Sequence, residues 1–325
     1  MHKIVLIGAG RIGRIHAANA AANPRLELAG VVDAATAAAL ALATEHGAPV
    51  RTLDDALADP AVAGVVIASS TDTHLDYSLR AAAAGKAIFC EKPIDQDLAR
   101  ARSAANALSK ARLLLAFNRR FDPNFQALKA KLDAGAVGSL ESLQITSNDP
   151  APPPPAYVAV SGGLFKDMAI HDFDMARWLL GEEPIEVWAA GACLVDPEIG
   201  KLGDVDTARS VLKTASGKLC VIANSRRSGF GYDQRIEAYA SAGMVRADNV
   251  VESTVQVWDE NGASADKFRN FFLDRYAEAY RREMEHFADI LDGAAPAVGY
   301  ADGVAALALA EAAGESAKSG KVVRL

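Results

Sequence analysis

The feature that most constrains this chain is the run K-I-V-L-I-G-A-G-R-I-G at residues 3–13. A strand-length apolar segment leads straight into Gly8, Gly10 and Gly13, and an alanine-rich helical stretch covers 11–22. A second apolar run, L-A-G-V-V, ends in Asp33, twenty positions beyond Gly13. Three glycines alone are a weak signal. With a strand before, a helix after and an acid closing the next strand, they form the pattern of a βαβ unit that holds a dinucleotide. The glycines permit a tight turn and let a pyrophosphate approach the helix N-terminus, where free N–H groups and the helix dipole favour an anion. Gly8, Gly10, Arg11, Ile12 and Gly13 are therefore candidate cofactor contacts. An acid at the Asp33 position accepts both ribose hydroxyls and repels a 2′-phosphate, and Ala34 and Ala35 supply no cation to offset it. This points to NAD rather than NADP, and no further flavin signature favours FAD.

The same alternation continues. Candidate strands at 3–7, 28–32, 64–68, 87–90 and 113–117 are separated by helical segments at 34–46, 74–84 and 95–110. Continuous apolar strands between helices predict a parallel sheet covered on both faces. Beyond about Phe117 the pattern changes to strands in succession with polar alternation: 140–147, 186–194, 208–214, 219–225, 235–240, 244–247 and 254–257. These predict a second α/β domain with an open, mostly antiparallel sheet, covered on one face by helices at 272–291 and 302–318 and by the helix that carries His171. The expected division is a Rossmann domain at 1–118 and a substrate and oligomerisation domain at 119–325, whose C-terminal helix could pack back on the first. Pro150–Pro155, nearly all proline, reads as a rigid extended loop.

Length and composition agree. The 325 residues suffice for two domains, and with half of them hydrophobic a substantial core is expected. A net charge of −7 argues against nucleic acid or an anionic membrane as partner. Cys90, Cys193 and Cys220 are far apart with neither disulfide nor metal spacing, so no metal site is expected and reduced thiols in the cytoplasm are. The short apolar run at the N-terminus is too brief for a signal peptide.

Three stretches carry the candidate chemistry. A-S-S-T-D-T-H (68–74) lies at the carboxyl edge of the first sheet, where Ser69, Thr71 and His74 would meet the cofactor; Thr71 or Asp72 could equally cap the next helix. F-C-E-K-P-I (89–94) puts Glu91 and Lys92 at the end of a buried strand, an expensive place for charge unless it is paired or used. Pro93 fixes the backbone there, with a cis bond as one way of doing so. G-G-L-F-K-D-M-A-I-H-D-F-D (162–174) spaces Asp167, His171 and Asp174 along one helical stripe that continues to Trp178, opposite an apolar arc. Asp172 projects into that arc and requires a dedicated partner, from Arg177, a backbone N–H or the first domain.

Taken together, G-A-G-R-I-G, E-K-P and the 162–174 stretch resemble the glucose–fructose oxidoreductase/inositol dehydrogenase (Gfo/Idh/MocA) family over most of the chain. F-N-R-R-F-D-P-N-F (117–125), P-A-P-P-P-P-A-Y-V (150–158), L-V-D-P-E-I-G (194–200) and N-S-R-R-S-G-F-G-Y-D-Q-R (224–235) resemble its bacterial myo-inositol 2-dehydrogenases more narrowly. The resemblance implies Lys92, Asp167 and His171 as the catalytic group, with His171 as base, in a cleft between the domains. It also implies Glu91 and Lys92 beside the cofactor, and a homotetramer. The chemistry is consistent: a histidine near working pH removes the hydroxyl proton, and a lysine stabilises developing alkoxide character while hydride leaves. Arg119, Asn148, Asp174 and Tyr232 are candidate polyol contacts. The expected activity is NAD-dependent oxidation of myo-inositol to 2-keto-myo-inositol. Its rivals are a relative acting on scyllo-inositol or another cyclic polyol or aldose, and a catalytically silent NAD-binding sensor.

Overall fold

A computed structural model describes residues 1–325. The chain forms two compact units, Met1–Phe121 with Ala279–Leu307, and Asp122–Glu278 with Ala308–Leu325. The helix Tyr300–Ser319 contributes its first part to one and its last part to the other. No helix is long and apolar enough to cross a membrane.

In the first unit β1 (His2–Ile7), β2 (Leu26–Val32), β3 (Val62–Ile67), β4 (Ala87–Glu91) and β5 (Leu113–Ala116) form a wholly parallel sheet in the order β2-β1-β3-β4-β5. The order reverses at β1, so the carboxyl ends of β1 and β3 open the crevice where open α/β sheets take their ligands. Ile4, Val5, Val65, Ile88, Phe89, Leu114 and Leu115 are fully buried, as unbroken apolar strands between two helical layers require. The helix Arg11–Ala22 follows the glycine turn as expected. Two differences are local. Leu53–Ala58 forms an additional short helix opened by a Thr52 cap on the Asp55 N–H, a signal too short to show as periodicity. The expected helix over 95–110 is two shorter ones, Leu98–Ser103 and Ala105–Leu108. The helix Ala277–Leu291, expected over the second sheet, instead belongs to this unit from Ala279 onward, with Phe287 edge-on to Phe89 at 5.7 Å.

The second unit is built on β6 (Leu140–Asn148), β7 (Pro184–Ala192), β8 (Thr207–Thr214), β9 (Leu219–Ser225), β10 (Asp233–Ala240) and β11 (Gly243–Ala247). An exposed hairpin, β12 (Gln256–Asp259) and β13 (Gly262–Ala265), follows, and β14 (Val323–Arg324) closes the chain. The large sheet runs β11-β10-β6-β9-β8-β7-β14 and is antiparallel except for the β6–β9 pair. Strict period-two burial marks it as one-sided: Val187, Leu212, Cys220, Leu143 and Ala238 are buried in register, while Trp188, Val211, Val221, Gln144 and Glu237 line the other face. The helix Ala169–Leu180 lies on the buried face against β6 and β9. The proline run is not extended throughout. Pro155 opens the helix Pro155–Ser161 at its first position, where a missing N–H costs nothing.

Candidate active site

In the first unit the turn after β1 depends on two glycines. Gly8 has φ +104°, and a Cβ there would lie 2.4 Å from the Ala68 carbonyl oxygen; one on Gly13 would lie 1.9 Å from that of Gly8. Gly10 caps the following helix with no side chain, so no capping side chain competes for the N–H groups at the helix start. Asp33 is held by backbone alone. Its Oδ2 accepts from the Ala9 N–H at 2.6 Å and its Oδ1 from the Ala35 N–H at 2.7 Å. A carboxylate offers about four acceptor sites, so capacity remains for ribose hydroxyls. The glycine cradle and this anchored acid fit a dinucleotide without a 2′-phosphate.

The other candidate contacts of this unit divide. Ser69 shares a 2.7 Å hydrogen bond with Thr73, and Thr71 begins a 3-10 turn, Thr71–Thr73. That turn separates Thr71 and Asp72 from the helix His74–Ala83, so neither side chain caps it. His74 is 2% exposed; its Nδ1 faces the Pro93 carbonyl at 2.8 Å and its Nε2 the Ser69 carbonyl at 3.1 Å. It is a strut between the loops that follow β3 and β4. Glu91 pairs with the buried His16 at 2.6 Å, and half-buried Lys92 precedes a cis Pro93. Arg119 is 5% exposed, and its neighbour Arg120 pairs with Asp302 at 2.9 Å.

In the second unit the 162–174 stretch makes two helices, Gly163–Asp167 and Ala169–Leu180, with Met168 between them. Asp167, His171 and Trp178 are half-buried along the stripe, but Asp174 turns inward, 1% exposed, with Arg177 at 3.8 Å. Asp172, fully buried, accepts from the Asn224 amide on β9 at 2.8 Å, while Arg177 turns to Glu183. Asp172 therefore meets a neighbouring strand, a partner that local sequence cannot show. Asp167 accepts from the Tyr157 hydroxyl at 2.8 Å and pairs with Arg226 at 3.0 Å. Arg226 also reaches Asp149 at 3.4 Å. Burial works against the Arg226 charge, but Asp167 and Asp149 outweigh it and raise its pKa; burial and Asp167 push the Tyr157 phenol up as well. Asn148 donates to Asp233 at 3.3 Å, and Tyr232, 6% exposed, stands edge-on to Tyr276.

Sequence reasoning passed over Arg226 and Tyr157, although both lie inside stretches it singled out. It also passed over Asp206. This carboxylate, fully buried, collects the N–H groups of Leu194, Val195 and Asp196 at 2.7–2.9 Å and shapes the 194–200 segment. Burial alone would raise its pKa, but those donors prevail and lower it.

Comparison with known proteins covers nearly the whole chain. Residues 2–118 match the oxidoreductase family with an NAD-binding Rossmann fold, and 125–246 match the GFO/IDH/MocA C-terminal domain. The chain is 50% identical to an inositol 2-dehydrogenase of Rhizobium meliloti, over 95% of this chain and 94% of that one. It is 45% identical to a myo-inositol 2-dehydrogenase of Thermotoga maritima, covering 99% and 98%. A solved myo-inositol dehydrogenase from Corynebacterium glutamicum superposes with TM-score 0.95 at 44% identity, covering 100% and 99%.

Proposed function

This chain belongs to the GFO/IDH/MocA family of NAD-binding oxidoreductases, and we propose that it oxidises myo-inositol at the axial hydroxyl to 2-keto-myo-inositol. The observation that carries this reading is the 50% identity to an inositol 2-dehydrogenase over nearly its full length. A span of that length includes E-K-P, the Asp/His helices and the four stretches quoted above.

Gly8, Gly10, Arg11, Ile12 and Gly13 would hold the pyrophosphate and Asp33 the ribose, with Ser69, Thr71 and Glu91 beside them. His74 would act through the loops it ties together. When bound, NAD supplies the hydride acceptor. His171 removes the hydroxyl proton, for which an imidazole has a suitable ordinary pKa. Lys92 donates to the same oxygen and stabilises its developing negative charge. Asp167 accepts from a substrate hydroxyl and fixes the ring's orientation. Arg119, Asn148, Asp174 and Tyr232 would supply or support the remaining polar contacts.

We propose a homotetramer in the cytoplasm; the apolar row Trp188, Val211 and Val221 on the uncovered sheet face supports assembly through that face. Light scattering in solution would check the assembly.

The test is the initial rate of NADH formation with myo-inositol, scyllo-inositol, D-chiro-inositol, D-glucose and D-xylose, each with NAD and with NADP. The reading expects myo-inositol with NAD to be turned over fastest. His171→Ala and Lys92→Ala should each lower kcat by roughly 100-fold or more while NAD still binds. NAD binding without turnover of any polyol would move the protein to the sensor class.

A further inference from the structure

Resting on that reading, we propose that Arg226 is a positioning residue. Together with the Tyr157 hydroxyl it locks Asp167 as a fixed hydrogen-bond acceptor for substrate and leaves proton removal to His171. The two donors arrive from different elements. Tyr157, on the helix Pro155–Ser161, donates to Oδ1 at 2.8 Å, and Arg226, just beyond β9, donates from Nη2 to Oδ2 at 3.0 Å. With each oxygen engaged from a separate direction, the carboxylate cannot rotate freely. A carboxylate offers about four acceptor sites, so these two donors do not by themselves exhaust it.

The guanidinium is itself anchored. Parallel pairing of β6 and β9 sets Asn148 opposite Ser225, which places Asp149 and Arg226 side by side at the carboxyl ends of the two strands. The Arg226 N–H donates to the Asp206 carbonyl at 2.8 Å, and the Asp149 N–H to the Ser225 carbonyl at 2.9 Å. Arg226 is 3% exposed, and a buried guanidinium is costly unless carboxylates compensate it. Here Asp149 and Asp167 share it. The outcome is an acceptor held in place before substrate arrives, one turn ahead of His171, which is what preorganised catalysis needs from a group that orients but does not react.

The test compares Arg226→Ala, Arg226→Lys, Tyr157→Phe and Asp167→Asn, using whichever polyol the wild type oxidises, with NAD affinity and thermal melting measured in parallel. Arg226→Ala should fold, bind NAD normally and lose kcat by about 100-fold, with a smaller change in KM. Millimolar guanidinium, but not equal sodium chloride, should restore part of that loss, a response that a merely structural role would not show. Arg226→Lys should fall in between, since it keeps charge without the planar fork. Should Arg226→Ala fail to fold, Tyr157→Phe decides: a kcat lower by about 3–10-fold with unchanged melting supports the proposal, and wild-type kcat overturns it. A folded Arg226→Ala with kcat within about twofold of wild type also overturns it. Inactive Asp167→Asn beside such a variant would reject the positioning role alone, whereas a fully active Asp167→Asn would reject the site assignment and this proposal together.

Discussion

The glycine turn of the first unit and the Asp167 cluster of the second solve one problem, holding a polar group still, by different means. In the first, side chains are held by backbone: Asp33 by the N–H groups of Ala9 and Ala35, His74 between the carbonyls of Ser69 and Pro93. In the second, side chain holds side chain: Asp167 by Arg226 and Tyr157, and Asp172 by Asn224. Backbone groups are placed by the fold of the turn itself, so a short local sequence specifies them. A side-chain network depends on which strands become neighbours, information spread over the whole unit.

The sharpest way to break the comparison is to disturb the backbone frame with one methyl. Gly13→Ala would put a Cβ 1.9 Å from the Gly8 carbonyl oxygen, a clash that only movement of the turn relieves. Strain of about 3 kcal/mol is reasonable for such overpacking, equivalent to an NAD affinity ~100-fold weaker. Calorimetric titration with NAD measures it, and wild-type affinity would show that the turn tolerates what the geometry forbids.

A smaller effect is expected where one member of a side-chain network is lost. Asn224→Ala removes the 2.8 Å amide donor from a fully buried Asp172. A hydrogen bond to a charged group contributes about 1.5–3 kcal/mol, so urea unfolding should show a loss of that order with NAD affinity unchanged. If NAD binding weakened instead while stability held, the division of labour between the two regions would be wrong.

The same contrast explains what could be read in advance. The parallel sheet, the glycine turn and the helix behind it follow from local pattern, and so does the one-sided second sheet, because period-two burial is written residue by residue. The Asp/His stripe was visible from helical spacing, yet its inward turn at Asp174 was not, since the wheel assumes one solvated side and this helix is buried nearly all round. Tyr157 and Arg226 were hidden for another reason. They lie 10 and 59 residues from Asp167, and only the β6–β9 pairing and the short helix at Pro155 bring them to it. The proline run misled through its last residue, because proline is excluded from helix interiors but welcome at a helix start.

The smallest predicted effect concerns a group that neither strategy holds. Glu283, fully buried in the first unit, has no hydrogen-bond partner on either carboxyl oxygen. Burial first, and the charge of Glu91 second, push its pKa well above the usual 4.5. Its folded form therefore keeps a proton that the unfolded chain gives up near that ordinary value. Folding takes up a proton in this range, so stability present below the unfolded pKa is lost as pH rises toward and through the folded one. Glu283→Gln keeps the shape and removes the titration. Melting temperatures of the two proteins should lie close together near pH 4.5, and by pH 8 the variant should gain on the order of a few degrees relative to wild type. A gap that stays constant across that range would mean the Glu283 proton is not linked to folding, and would place this carboxyl among the groups whose partners the fold supplies.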